Sequence, residues 1–183
     1  MVFNGSAEGT IDQKLRLAVP AKFRAKLGTE NAGQVWVCVP WPTKVLRVYP
    51  QARFQEISGW DNGSLMPDED EADLESDLFS LAETVEMDSA GRIAINKLHL
   101  ELTGIGTEVV VNGVKDHLEV RDRAAWKAAL ETRFQNLPNL VRKVRERRVA
   151  AGLKPSPTGG PIGGSSGGPA GSKRDADQDA TDE

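Results

Sequence analysis

Apolar positions along the chain follow one succession of patterns, and that succession occurs twice. Residues 16–19 and 92–95 are short runs of apolar and branched side chains, each opened by an arginine, which predicts brief strands. After the first, Pro20 stands where a helix can begin, Phe23 and Leu27 share one helical face, and Gly28 is placed to cap the end. Residues 35–39 and 108–111 are then apolar without alternation, so both faces of these strands need cover, as in a small closed barrel. A further strand is predicted at residues 45–49 and 117–120. It runs into an amphipathic helix, over residues 51–57 in the first half and 123–134 in the second. Between the halves, Leu74, Leu78, Phe79 and Leu81 fall at near-helical spacing, predicting a connecting helix that begins near Pro67.

The two halves align residue by residue. Asp12 falls opposite Asp88, Arg16 opposite Arg92 and Ala18 opposite Ala94; Leu27 and Gly28 fall opposite Thr103 and Gly104. Further on, Leu46, Val48, Ala52 and Phe54 correspond to Leu118, Val120, Ala124 and Trp126. One supersecondary unit is therefore repeated. A unit of four short strands is too small to hold a core alone, so the two copies are expected to intertwine around a shared one. The predicted organisation is a first repeat over residues 1–60, a helical connector over 61–82, a second repeat with a terminal helix over 83–150, and a tail over 151–183. That tail is rich in Gly, Pro and Ser and ends in acid; it cannot bury enough apolar surface to offset its ordering entropy and is expected to be disordered.

Charge becomes informative only when it is divided along the chain. The net charge of −4 hides segments of +4 over residues 1–60, −11 over 61–90, +5 over 91–150 and −2 thereafter. Two basic segments flank an acidic connector, a pattern suited to a polyanionic partner met by the repeats. No apolar stretch approaches the length of a membrane span and the N-terminus lacks the layout of a signal peptide, so a cytoplasmic protein is expected. Cys38, the single cysteine, lies in an apolar run and reads as a buried thiol. With only His99 and His117 beside it, no metal-ligand spacing exists, and no metal or cofactor is expected. The absence of a nucleophile–base pair or phosphate loop makes an enzyme the least favoured class.

The pattern Asp-x-Lys-Gly-Arg, followed by an apolar strand and a proline, resembles the signature of the MraZ family, whose fold is related to the AbrB swapped-hairpin barrels. Here it stands as Asp12-Gln13-Lys14-Leu15-Arg16 and Asp88-Ser89-Ala90-Gly91-Arg92, and the resemblance extends over residues 1–150. It implies an α+β, mainly β fold: a pseudo-two-fold AbrB-like barrel of two tandem repeats with flanking short helices. It further implies a sequence-specific DNA-binding transcriptional regulator, a repressor of the bacterial division and cell-wall gene cluster. Such a regulator would be nucleoid-associated and assembled as a ring-shaped homo-oligomer on short repeats in double-stranded promoter DNA, with neither membrane nor small-molecule partner. Two departures stand out: Leu15 occupies the usual glycine position, which would reshape a turn needing a positive φ, and Ala90 replaces the second lysine. With the acidic connector, they support a competing reading, an oligomeric assembly protein of the same fold that has lost DNA binding.

The residues carry their own argument. Lys14, Arg16 and Arg92 are placed at turns between strands, where a guanidinium can reach phosphates or pair with guanine. An arginine at a strand entry can equally bridge to a local carboxylate. Lys22, Arg24, Lys26 and Lys97 follow closely and either enlarge that positive surface or form a solvated helix face. Asp12 and Asp88 are expected to hold their turns by accepting backbone hydrogen bonds, with Gly91 supplying the turn conformation. Trp36 and Trp126 are expected to anchor the core. The basic segment over residues 142–148 reads as an exposed helix or an extra phosphate contact.

Overall fold

The computed structural model describes residues 2–27, 34–59 and 69–153; the expectations for Gly28, Pro67 and the tail from residue 154 lie outside them. In chain order the elements are β1 (Ser6–Thr10), β2 (Arg16–Ala18), α1 (Ala21–Arg24), β3 (Val35–Trp41), β4 (Val45–Pro50), α2 (Gln51–Ile57), α3 (Glu69–Leu81), β5 (Glu83–Glu86), β6 (Arg92–Ala94), α4 (Lys97–Thr103), β7 (Glu108–Val114), β8 (His117–Asp122) and α5 (Arg123–Ala150). Strands β1 and β5 are the members of each four-stranded unit that periodicity did not locate, because their side chains are mostly exposed polar or small residues. Pro20 caps α1 from an extended conformation (φ −56°, ψ 136°) instead of opening it. Helix α5 runs on to residue 150, through Pro138, because the residues beyond 134 are mostly good helix formers.

The repeats exchange strands. Six strands form one antiparallel sheet in the order β1-β7-β8-β4-β3-β5, and β2 pairs with β6 in a separate two-stranded ribbon. The first strand of each repeat therefore adds to the hairpin of the other: β1 to β7 and β5 to β3. The two hairpins meet through β4 and β8, with Leu46 opposite Val120 and Val48 opposite Leu118. Every inter-repeat pairing has its counterpart under exchange of the copies, which is the pseudo-two-fold relation that the repeat implies.

The unbroken apolar runs are buried on both sides, as their pattern demands. Trp36, Cys38, Leu46, Val48, Val109, Val111, Leu118 and Val120 point into one cluster that also receives Leu17 and Ile93 from the ribbon. Phe3 meets Phe23 edge-on at 6.0 Å and Trp36 at 6.3 Å in the same core. The alternate residues Val37, Val39 and Tyr49 form a second cluster with Phe54 of α2, backed by Leu78 and Phe79 of α3. Burial raises the Cys38 thiol to about 12, so it is un-ionised and inert at neutral pH. The described residues up to Arg133, with every described strand, form one compact unit, and those from Phe134 onward another. Among the described residues no helix is long and apolar enough to cross a membrane.

Candidate nucleic-acid interface

Each Asp-containing pentapeptide folds into the same turn. Asp12 Oδ1 accepts the backbone N–H groups of Lys14 (2.8 Å) and Arg16 (2.9 Å). Asp88 Oδ1 accepts those of Ala90 (3.0 Å) and Arg92 (2.9 Å). A carboxylate that gathers two such donors fixes the loop from within. The chain closes behind it: the Leu15 N–H reaches the Asp12 carbonyl at 2.9 Å, and the Gly91 N–H reaches that of Asp88 at 2.8 Å. This closure requires a left-handed residue in the fourth place. Gly91 takes it at φ 78° and Leu15 at φ 57°. The turn is thus not reshaped by Leu15; the leucine is held in a conformation costing about 1–2 kcal/mol for a residue with a Cβ.

The second carboxylate oxygen binds the arginine at the foot of each turn. Arg16 donates to Asp12 Oδ2 through Nε (2.9 Å) and Nη2 (2.8 Å), and Arg92 does the same to Asp88 at 2.9 and 2.8 Å. The bridge to a local carboxylate is therefore formed in both copies. It does not seal the guanidiniums, whose side chains remain 31% and 35% exposed. It orients them, since two of the donors are fixed by a partner that is itself fixed. The Arg16 N–H and guanidinium hold the Asp12 carboxyl below its ordinary range. The Arg92 guanidinium and N–H do so for Asp88, while Asp88, and at longer reach Asp12, raise Arg92.

The ribbon puts the two arginines on one surface. Arg16 pairs with Ala94, Leu17 with Ile93 and Ala18 with Arg92. Opposed residues share a face and alternate residues return to it, so Arg16, Ala18, Arg92 and Ala94 lie on one side and buried Leu17 and Ile93 on the other. Beyond the strands, the Ile95 N–H donates to the Leu15 carbonyl at 2.7 Å and the Val19 N–H to that of Gly91 at 2.9 Å. Each turn is thereby tied to the other repeat.

The remaining predicted bases separate. Lys14 is exposed at the tip of the first turn, and its ammonium has no partner among the described residues. Arg24 extends from α1 to the second turn: Nε donates to the Val19 carbonyl at 3.0 Å, and the guanidinium lies over Gly91. Lys22 donates to the Ser6 carbonyl and sits 4.9 Å from the Phe23 ring centre. Lys26 donates to the Val2 carbonyl at 3.1 Å, and Lys97 is paired with Glu101 at 3.3 Å along α4. These three are engaged on α1 and α4. Trp126, unlike fully buried Trp36, is part-exposed, with the guanidiniums of Arg121 and Arg133 at 5.7 and 4.7 Å from its ring. A cavity of about 560 Å³ is lined by Arg53, Glu56, Lys115 and Asp116; its carboxylates are ion-paired with Arg53 at 2.6 and 3.0 Å.

Residues 78–144 match the family model described as "MraZ protein, putative antitoxin-like". The protein called Transcriptional regulator MraZ in Nitrosomonas europaea is similar over 133 residues at 35% identity, covering 72% of this chain and 88% of its own length. The chain belongs to the MraZ family. Relatives of the same name in Roseiflexus sp. and Leuconostoc mesenteroides are each 30% identical, over 80% and 76% of this chain and 99% and 94% of their own lengths. Matches of this length exceed a single repeat, and the family model itself takes in the second turn, Asp88 to Arg92.

Proposed function

We propose that this chain is a sequence-specific DNA-binding transcriptional regulator that reads double-stranded promoter DNA with the β2–β6 ribbon. One observation carries the reading: Arg16 and Arg92 lie on the same partly exposed face of a two-stranded ribbon, each aimed by its own aspartate. A two-stranded ribbon fits the major groove, where a guanidinium can meet guanine O6 and N7, while Lys14, Lys22, Arg24 and Lys97 would neutralise flanking phosphates. The family name of the relatives, Transcriptional regulator MraZ, supports the same assignment. We assign it to the promoter of the division and cell-wall gene cluster, as a repressor acting at the nucleoid. There it would form a ring of copies on short repeats, multiplying modest single-site affinity by valency. The reading as an assembly protein without DNA recognition rested partly on Leu15, and that residue preserves the turn.

The test is binding to a promoter fragment carrying short direct repeats. Binding is expected to fall steeply with rising salt, and the R16A/R92A double variant is expected to lose the footprint. Unchanged binding by the double variant would remove the ribbon from the interface. Light scattering of the full chain reads the ring.

A further inference from the structure

The two turns are alike in backbone and unlike in charge. The first carries Asp12, Lys14 and Arg16 and is net +1; the second carries Asp88, Ala90 and Arg92 and is neutral. A neutral turn would be a weak half of a DNA-reading ribbon, since attraction to phosphate requires uncompensated cations.

We propose that Arg24, which lies in the first repeat, is the DNA-contacting cation of the second turn. It takes the place of the lysine that Ala90 lacks and makes the interface a composite of both repeats. The proposal rests on the DNA-binding reading above, in which Arg24 is one of several flanking cations, and assigns it to the second turn. A Cβ built on Gly91 would meet Arg24 Nη1 at 2.6 Å, Cζ at 2.8 Å and Nε at 3.0 Å. The guanidinium therefore occupies the space that a side chain at position 91 would fill. Its Nε is anchored to the Val19 carbonyl, and its Nη groups have no partner among the described residues. Arg24 is exposed. With Arg24 counted, both turns carry +1.

The opposite turn supplies an internal control. Under the repeat alignment Arg24 corresponds to Leu100 and Gly91 to Leu15. Leu100 is half-buried against the core, brings no charge, and the turn on that side accommodates a leucine at φ 57° and keeps its own Lys14. Guanidinium accompanies glycine in one half; leucine accompanies leucine in the other. The second turn thus keeps glycine for two reasons, a left-handed backbone and the room that Arg24 takes. The halves also differ in chemistry. A guanidinium with two free Nη groups can pair bidentately with a guanine edge or a phosphate, whereas the Lys14 ammonium acts as a point charge.

The experiment uses the full-length chain and duplexes that the wild-type protein selects from a randomised pool. R24A, A90K and R24A/A90K are compared by affinity, by the slope of affinity against salt, and by melting temperature. R24A is expected to weaken binding about tenfold and to shallow the salt slope by about one counterion, and R24A/A90K to regain most of the loss. R24A binding like wild type overturns the proposal. So does a loss that A90K fails to restore, which would mean that Arg24 acts only by supporting the turn. If the wild-type chain retains no duplex, the DNA-binding reading falls and the proposal with it; if it does and R24A matches it, the proposal alone falls.

Discussion

At the scale of single residues, one backbone angle separates two nearly identical turns. Leu15 carries a side chain at φ 57° where Gly91 takes φ 78°. Replacing Leu15 by glycine removes a left-handed penalty of about 1–2 kcal/mol and adds about 0.4–1 kcal/mol of unfolded-state entropy. L15G is thus expected to stabilise the protein by about 0.5–1 kcal/mol, visible as a higher Tm. The reverse change, G91A, is expected to lower Tm, since it strains the backbone and drives a methyl group into Arg24. The aspartates set a pH dependence. Asp12 and Asp88 titrate below the ordinary carboxylate value of 3.8, so their stabilisation of the turns is full above that value and is lost as pH falls through the lower folded-state values. NMR titration is expected to show both carboxyls, and the N–H signals of Arg16 and Arg92, shifting together in that acid range. The aspartate role was legible in the sequence because it is local: a short carboxylate, two donors, four residues. That Arg16 and Arg92 would be both bridged and exposed was not legible, because it depends on what covers the ribbon.

At the scale of elements, the ribbon is the smallest part and the most consequential. It has three residues per strand, and its one buried layer is Leu17 against Ile93, each 1% exposed. Truncating either removes packing from the shared core, and L17A or I93A is expected to cost about 2–5 kcal/mol in denaturant unfolding. Glu119 on β8 contributes from the other face of the sheet. The neighbouring His117 imidazole and the Arg121 guanidinium hold its carboxyl at about 2, against the opposing effect of burial. Its share of stability is present above about pH 4.5 and is lost as pH falls toward 2. E119Q is therefore expected to flatten the acid limb of the stability curve. Apolar runs located β3, β4, β7 and β8 because double-sided burial leaves a dense signal; β1 and β5 escaped because edge strands of Ser-Ala-Glu-Gly-Thr and Glu-Thr-Val-Glu carry too few apolar residues to stand out from a loop.

At the scale of the whole molecule, neither repeat owns its fold. Strand β1 needs β7, β5 needs β3, and the ribbon takes one strand from each copy. Residues 1–60 expressed alone are expected to show neither dispersed NMR signals nor a cooperative melt as a monomer, because four of the five pairings that their strands make are with the other repeat. The sequence by itself determined the duplication, the mainly β class, the Asp–Arg turns and the division of charge, since each is a matter of short spacing or of counting. Only the tertiary structure decided that Arg16 and Arg92 share a face and that the Arg24 guanidinium lies over a turn 67 positions along the chain. Strand exchange brings those groups together, and contact between distant segments leaves no periodic trace in the order of residues.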